Sequence, residues 1–166
     1  MLPSKTYRPW EKRVVKISRV SKVVKGGKKI SFRAIVVIGD KKNKVGVGMG
    51  KAIEVSNAIK KAETNAKKSI LTISVEEGQT ISHPILGITG GSKVFIRPAV
   101  PGTGVIAGGS VRSVLELAGI KNILSKQLGS NNALNNARAT IKALSLLSTK
   151  EGIIKKRQVS LEHLSI

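Results

Sequence analysis

The chain has 166 residues, 40% of them apolar, and sets 30 Lys plus Arg against 9 Asp plus Glu for a net charge of +21. It has no Cys, which excludes a disulfide scaffold, a thiolate metal site and a Cys nucleophile, and no apolar run approaches transmembrane length. So large a positive surplus repels itself unless a polyanion offsets it, and nucleic acid is the commonest such partner.

The length allows one compact domain or two small ones. Residues 13–24 (RVVKISRVSKVV) combine Val with basic and Ser residues, the pattern of a half-buried strand. Lys25-Gly26-Gly27-Lys28 is a hairpin signal, because Gly accepts the positive φ of tight turns. Ile30, Phe32, Ala34, Val36 and Ile38 then recur at period two. Gly39 to Asn43 marks a second turn, and Val45, Val47 and Met49 share one face of a third strand. From Lys51 the period lengthens. Ala52, Val55, Ile59, Ala62, Ala66 and Ile70 step by three or four and predict a single apolar helix stripe, with Lys60, Lys61, Lys67 and Lys68 off it. Residues 11–70 therefore read as three antiparallel strands covered by one helix.

A second unit is expected over 71–147. Short strands are predicted at 71–75 and 93–97, with turns at His83-Pro84 and Gly90-Gly91. Residues 98–109 form a loop dense in Pro and Gly. Ser110 is expected to cap a short helix that runs to Ala118 and ends at Gly119. Residues 120–128 fit strand better than helix, being short and bounded by glycines. Asn131 or Asn132 should cap a final helix with a stripe of Leu134, Ala137, Ile141 and Leu144. Strands alternating with helices indicate an α+β or split βαβ arrangement. The basic tail, 148–166, is expected to be loosely held.

The charge is unevenly placed. Residues 1–51 contain fifteen Lys or Arg and only Glu11 and Asp40 as acids, so the first third is the expected docking face. An anionic membrane surface is the rival partner, but no basic amphipathic helix with large apolar anchors occurs. The sharpest candidate site is the hairpin tip with Lys22, Lys25, Gly26, Gly27, Lys28 and Lys29. Its glycines let the backbone approach a phosphate while lysines neutralise it and release counterions. The four aromatics (Tyr7, Trp10, Phe32, Phe95) are too few for base stacking to dominate.

Two glycine motifs invite a nucleotide reading. Gly46-Val47-Gly48-Met49-Gly50-Lys51 has three residues between Gly46 and Gly50 where a P-loop has four, and Ala52 stands where Ser or Thr is needed. What remains is glycines leading toward a helix N-terminus, which favours an anion at Lys51, against glycines that merely permit packing. Gly102-Thr103-Gly104-Val105-Ile106-Ala107 matches a dinucleotide fingerprint, but Pro98 and Pro101 intrude and no acid occurs over 120–128. Two isolated histidines (His83, His163) and scattered acids, of which only Glu76-Glu77 are adjacent, offer little for acid–base or metal chemistry. No enzyme activity, cofactor or small-molecule substrate is expected.

Four blocks resemble the signature segments of small-ribosomal-subunit protein five: RVSKVVKGGKKISFRAIVVIGD (19–40), KVGVGMGKA (44–52), RPAVPGTGVIAGG (97–109) and LGSNNALNNARAT (128–140). The similarity spans about residues 11–147, with the blocks in the family's order. It implies an N-terminal domain of double-stranded-RNA-binding type followed by a C-terminal α+β domain. It further implies a seat on small-subunit ribosomal RNA where head meets body, near messenger entry, and a role in translational accuracy together with protein four. Protein eight is the implied neighbour of the C-terminal domain. The hairpin loop would reach ribosomal RNA close to where spectinomycin binds, making Arg19, Lys22, Lys25, Gly26, Gly27 and Lys28 the leading contacts, with Lys29 and Lys51 beside them. The wording of KNILSKQLGSNNALNNARAT is similar to the cyanobacterial and plastid branch. Without an evident transit or signal sequence, the expected location is the plastid ribosome, with a bacterial cytoplasm as alternative. A free-standing regulator of structured RNA fits the same charge and is the competing function.

Overall fold

The computed structural model describes residues 10–73 and 80–148, together with residues 154 and 156–158. Two four-stranded sheets and three helices make up the described chain. Strands β1 (Glu11–Val24), β2 (Gly27–Gly39) and β3 (Lys44–Ala52) form an antiparallel meander, followed by α1 (Val55–Lys68) and β4 (Ile70–Thr72). The second half contains β5 (Ile85–Thr89), β6 (Ser92–Pro98), β7 (Val105–Ile106), α2 (Gly109–Ala118), β8 (Ile123–Gly129) and α3 (Ala133–Ser145). The sheet orders are β1-β2-β3-β4 and β5-β6-β8-β7. The expected α+β class holds in both halves.

The first helix packs on the first sheet through small residues. Gly46, Gly48 and Gly50 lie at period two on one face of β3; Ala58, Ala62 and Ala66 lie at period four along α1. A Cβ at Gly48 would collide with the backbone carbonyl of Ala62, and one at Gly50 with that of Ala58. The helix therefore rides directly on the strand, and Ala34, Val36 and Ile38 complete this core with the three alanines. The predicted stripe started too early. Ala52 belongs to β3, the helix begins at Val55, and Ile59 is only partly buried while Ala58 is fully so.

The opposite face of the same sheet is also covered. Val37, Val45 and Val47 join a larger core with Ile73, Val94, Ile96, Val114, Leu115 and Leu117 of the second half. Burial on both faces explains why β2 is buried continuously from Ala34 to Gly39 rather than alternately. The segment expected to open the second unit behaves otherwise. Ile70–Thr72 pairs antiparallel with Lys44–Gly46 and closes the first sheet.

In the second half, α2 connects β7 to its parallel neighbour β8. Gly119 ends α2 at φ 90°, the left-handed cap expected there, with its N–H donating to the carbonyls of Glu116 and Leu115. Ser110, expected as the cap of α2, lies inside the helix instead. Gly108 occupies the cap position, and the Ser110 hydroxyl accepts from Gln127 Nε2 at 3.2 Å. The other end of α2 contacts the β2–β3 loop, where Lys41 N–H donates to the Leu117 carbonyl at 3.0 Å. Asn132 does cap α3, accepting from Leu134 N–H at 3.1 Å. Most of the basic tail lies outside the described residues.

Candidate nucleic-acid interface

Pairing between β2 and β3 stops at Phe32 and Ala52, whereas β1 and β2 pair onward through Val20–Ser31 to Val24–Gly27. These five further pairs carry the ribbon about 17 Å beyond the sheet at 3.4 Å per residue. Every residue from Ser21 to Ile30 is exposed. Gly26 turns the chain at φ 88°, a conformation other residues resist. A Cβ at Gly26 or Gly27 would meet no atom of the described residues within 4 Å, so the bare tip answers to backbone conformation and not to packing.

Register distributes the candidate cations over both faces of the ribbon. Lys22 stands directly opposite Lys29, and Arg33, four residues along β2 on the same face, stands opposite Lys51. Arg19, opposite Phe32, and Lys28, opposite Val23, occupy the other face, and Lys25 sits in the turn. Like charges directly across a strand pair destabilise it. A ribbon of this kind is stabilised by an anion.

No acid among the described residues forms an ion pair with these cations. Among the described residues, Glu11 pairs with Lys41 at 2.7 Å, Glu63 with Lys12 and Lys67 at 3.2 and 2.8 Å, and Glu116 with Arg13 and with Arg112. Hydrogen bonds from Lys67 and Lys12 hold the Glu63 carboxyl below its usual range. Asp40 is engaged by backbone N–H groups, and Glu54 accepts from Asn57 Nδ2 at 2.8 Å. Glu11, Lys12 and Arg13 stand opposite Gly39, Ile38 and Val37, at the far end of the ribbon. No ion pair among the described residues reaches Arg19, Lys22, Lys25, Lys28, Lys29 or Lys51.

Three cations escaped the sequence reading. Arg33 was hidden inside the period-two run of β2; its Nε is buried without a hydrogen-bond partner. Lys60 and Lys61 were visible only as off-stripe residues of α1, and they line a hollow with Lys51. The signal for Arg33 was present, since a charge on the between-positions of a core strand needs an explanation.

The glycine motifs resolve against nucleotide binding. Gly46 to Gly50 lie within a strand, and their missing side chains make room for α1. In the second motif the Gly102 and Gly104 N–H groups donate to Asn122 Oδ1 at 3.0 and 3.2 Å, so the amides that would hold a pyrophosphate are occupied. The strand also comes late: β7 is Val105–Ile106, inside the motif instead of ahead of it. His83 is half-buried beside Pro84. Among the described residues no group of three or more His, Asp or Glu could hold a metal ion, and no helix is long and apolar enough to cross a membrane. His163 and Glu76-Glu77 lie outside the described residues.

Comparison with known proteins gives matching family models for both halves. Residues 10–74 match ribosomal protein S5, N-terminal domain, and residues 87–157 match ribosomal protein S5, C-terminal domain. Small ribosomal subunit protein uS5 of Crocosphaera subtropica is 59% identical over 155 residues, covering 93% of this chain and 90% of that protein. The uS5 proteins of Synechocystis and of Nostoc punctiforme are 58% and 57% identical, over 93% and 95% of this chain and 90% of each relative.

Proposed function

Since the chain belongs to the ribosomal protein S5 family, we propose that it is a structural, non-catalytic constituent of the small ribosomal subunit whose β1–β2 ribbon grips ribosomal RNA. The observation that carries this reading is the ribbon itself: it projects from the sheet with unneutralised cations on both faces. Charge on both sides suits insertion between two phosphate walls, with Gly26 and Gly27 allowing close approach at the tip. Arg19, Lys22, Lys25, Lys28 and Lys29 would make the phosphate contacts. Lys51 would add one from the adjoining strand.

Contacts of this type position the protein by backbone and shape and not by base identity. The aromatics agree, since Trp10 and Phe32 pack against the α1 core and Phe95 lies on the second sheet. Family resemblance supports a seat at the head–body junction near messenger entry, a contribution to accuracy, and proteins four and eight as neighbours. The second sheet offers a surface for such a neighbour. Leu86, Ile88, Phe95 and Leu128 are exposed on its open face with Lys93 and Lys126 among them. Similarity to cyanobacterial relatives supports a plastid or bacterial ribosome, and the plastid is the preferred location.

Replacing Lys25 and Lys28 together with Gln should weaken binding to small-subunit RNA. It should also reduce the slope of log affinity against log salt by roughly 1.4 to 1.8, about 0.7–0.9 per lost phosphate contact. An unchanged slope would remove the ribbon from the interface. Sucrose-gradient sedimentation of cell extracts distinguishes a ribosomal constituent, found with the small subunit, from a free-standing RNA regulator, found in the light fractions.

A further inference from the structure

β4 covers the edge of β3 only from Lys44 to Gly46. Beyond that point two adjoining hollows run from this edge onto α1. One is lined by Met49, Lys51, Lys60, Lys61 and Asn65. The other continues from the same three lysines past Ile53, Glu54 and Asn57 to Lys29 and Ser31. Four lysines thus line one continuous groove, and none of them enters an ion pair among the described residues.

We propose that this groove is a second seat for RNA, taking a stretch of sugar–phosphate backbone along the α1 flank, from Lys60 and Lys61 toward the base of the ribbon; it rests on the RNA-binding reading above. The lining determines the ligand class. Its amide and threonine side chains are turned to internal work: Asn65 Nδ2 donates to the Met49 carbonyl at 2.9 Å, Asn57 Nδ2 to Glu54 at 2.8 Å, and the Thr64 hydroxyl to the Lys60 carbonyl at 3.0 Å. The groove has no aromatic side chain on which a base could stack. Four lysines against the single acid Glu54 leave a net positive charge along an open channel, which suits a polyanion and not a single base or nucleotide.

The lysines of α1 argue against a role in solubility alone. Lys67 is held by Glu63, which also holds Lys12, whereas Lys60 and Lys61 have no counter-ion among the described residues. Neutralisation is thus confined to one flank of the helix. The Lys29 end of the groove adjoins the ribbon, but its α1 end, where Lys60 and Lys61 lie beside Lys51, is too far from the tip to share its phosphate. Arg33, opposite Lys51, lies six residues along β2 from Gly27, roughly 20 Å at strand rise.

The test uses the full chain and protein-free small-subunit RNA, with affinity measured across a salt series for wild type, for Lys60→Gln with Lys61→Gln, for the tip pair Lys25→Gln with Lys28→Gln, and for all four changes. Gln keeps the helix propensity of Lys, so the α1 variant stays folded. The groove pair is expected to lower affinity several-fold and reduce the salt slope by about 1.4 to 1.8, with the quadruple variant losing the sum. If the tip pair weakens binding while the groove pair leaves affinity and slope at wild-type values, the groove is not an RNA seat and the ribbon reading stands. ATP bound by the free chain, lost in the groove pair with RNA affinity unchanged, would assign the groove to a nucleotide instead. A wild-type chain indifferent to the RNA would bring down both readings.

Discussion

Asp40 closes the turn between β2 and β3. One carboxylate oxygen, Oδ1, accepts from the N–H groups of Lys42, Asn43 and Lys44 at 2.9, 3.0 and 2.9 Å, while the next residue, Lys41, takes the left-handed φ of 55°. Burial alone would raise the Asp40 pKa; the backbone donors of Lys44, Lys42 and Asn43 outweigh it and hold the carboxyl below its usual range. A carboxyl depressed in the folded state contributes its full stability above the ordinary aspartate value, about pH 4, and loses it as pH falls through the folded value. Asp40→Ala should therefore cost about 1 kcal/mol at pH 7, solvent keeping the figure at the low end for charge-assisted bonds. The difference from wild type should shrink toward zero near pH 2. Urea unfolding at the two pH values measures it, and a pH-independent difference would refute the role of the charge.

At the scale of elements, the contact between β3 and α1 admits almost no variation. Gly48→Val would drive a branched side chain into the Ala62 carbonyl and the Ala66 backbone, neither of which is a flexible chain end. The expected loss is about 3 kcal/mol, the upper part of the range for overpacking, seen as a lower urea midpoint with an unchanged denaturant slope. The same contact explains what sequence patterns could and could not convey. The β1–β2 hairpin and its cations were legible because strand alternation, turn glycines and charge agreed. The start of α1 was not, since Ala52 and Val55 fall three apart and mimic a helix stripe although one ends a strand. Nor was β5, where Leu86 and Ile88 face solvent and Gly87 packs on α3, reversing the usual alternation. Lys60 and Lys61 were legible only as charge, because their place beside Lys51 depends on the helix lying flat against β3. β4 was expected as a strand, but its pairing with β3 depends on α1 returning the chain, which no local pattern records.

For the whole molecule, repulsion among unneutralised cations is the main tension. The net charge is +21, and among the described residues no ion pair neutralises the lysines of the ribbon tip. Screening should therefore stabilise the free protein. Its unfolding temperature is expected to rise by several degrees as salt goes from about 0.05 to 0.5 M, and to rise at low salt when ribosomal RNA is added, by the linkage of binding to folding. Calorimetry across the salt series checks both. A midpoint that falls with salt would mean that internal ion pairs outweigh the repulsion.

Val37, Val45 and Val47 share one apolar core with the helices of the second half. Severing the chain between residues 73 and 80 would leave that face of the first sheet wet, so the amino-terminal piece alone should clump where the intact protein stays dissolved. The shared wall also has a mechanical meaning. A load taken up at the ribbon would pass through β2 into the shared wall and out to the second sheet.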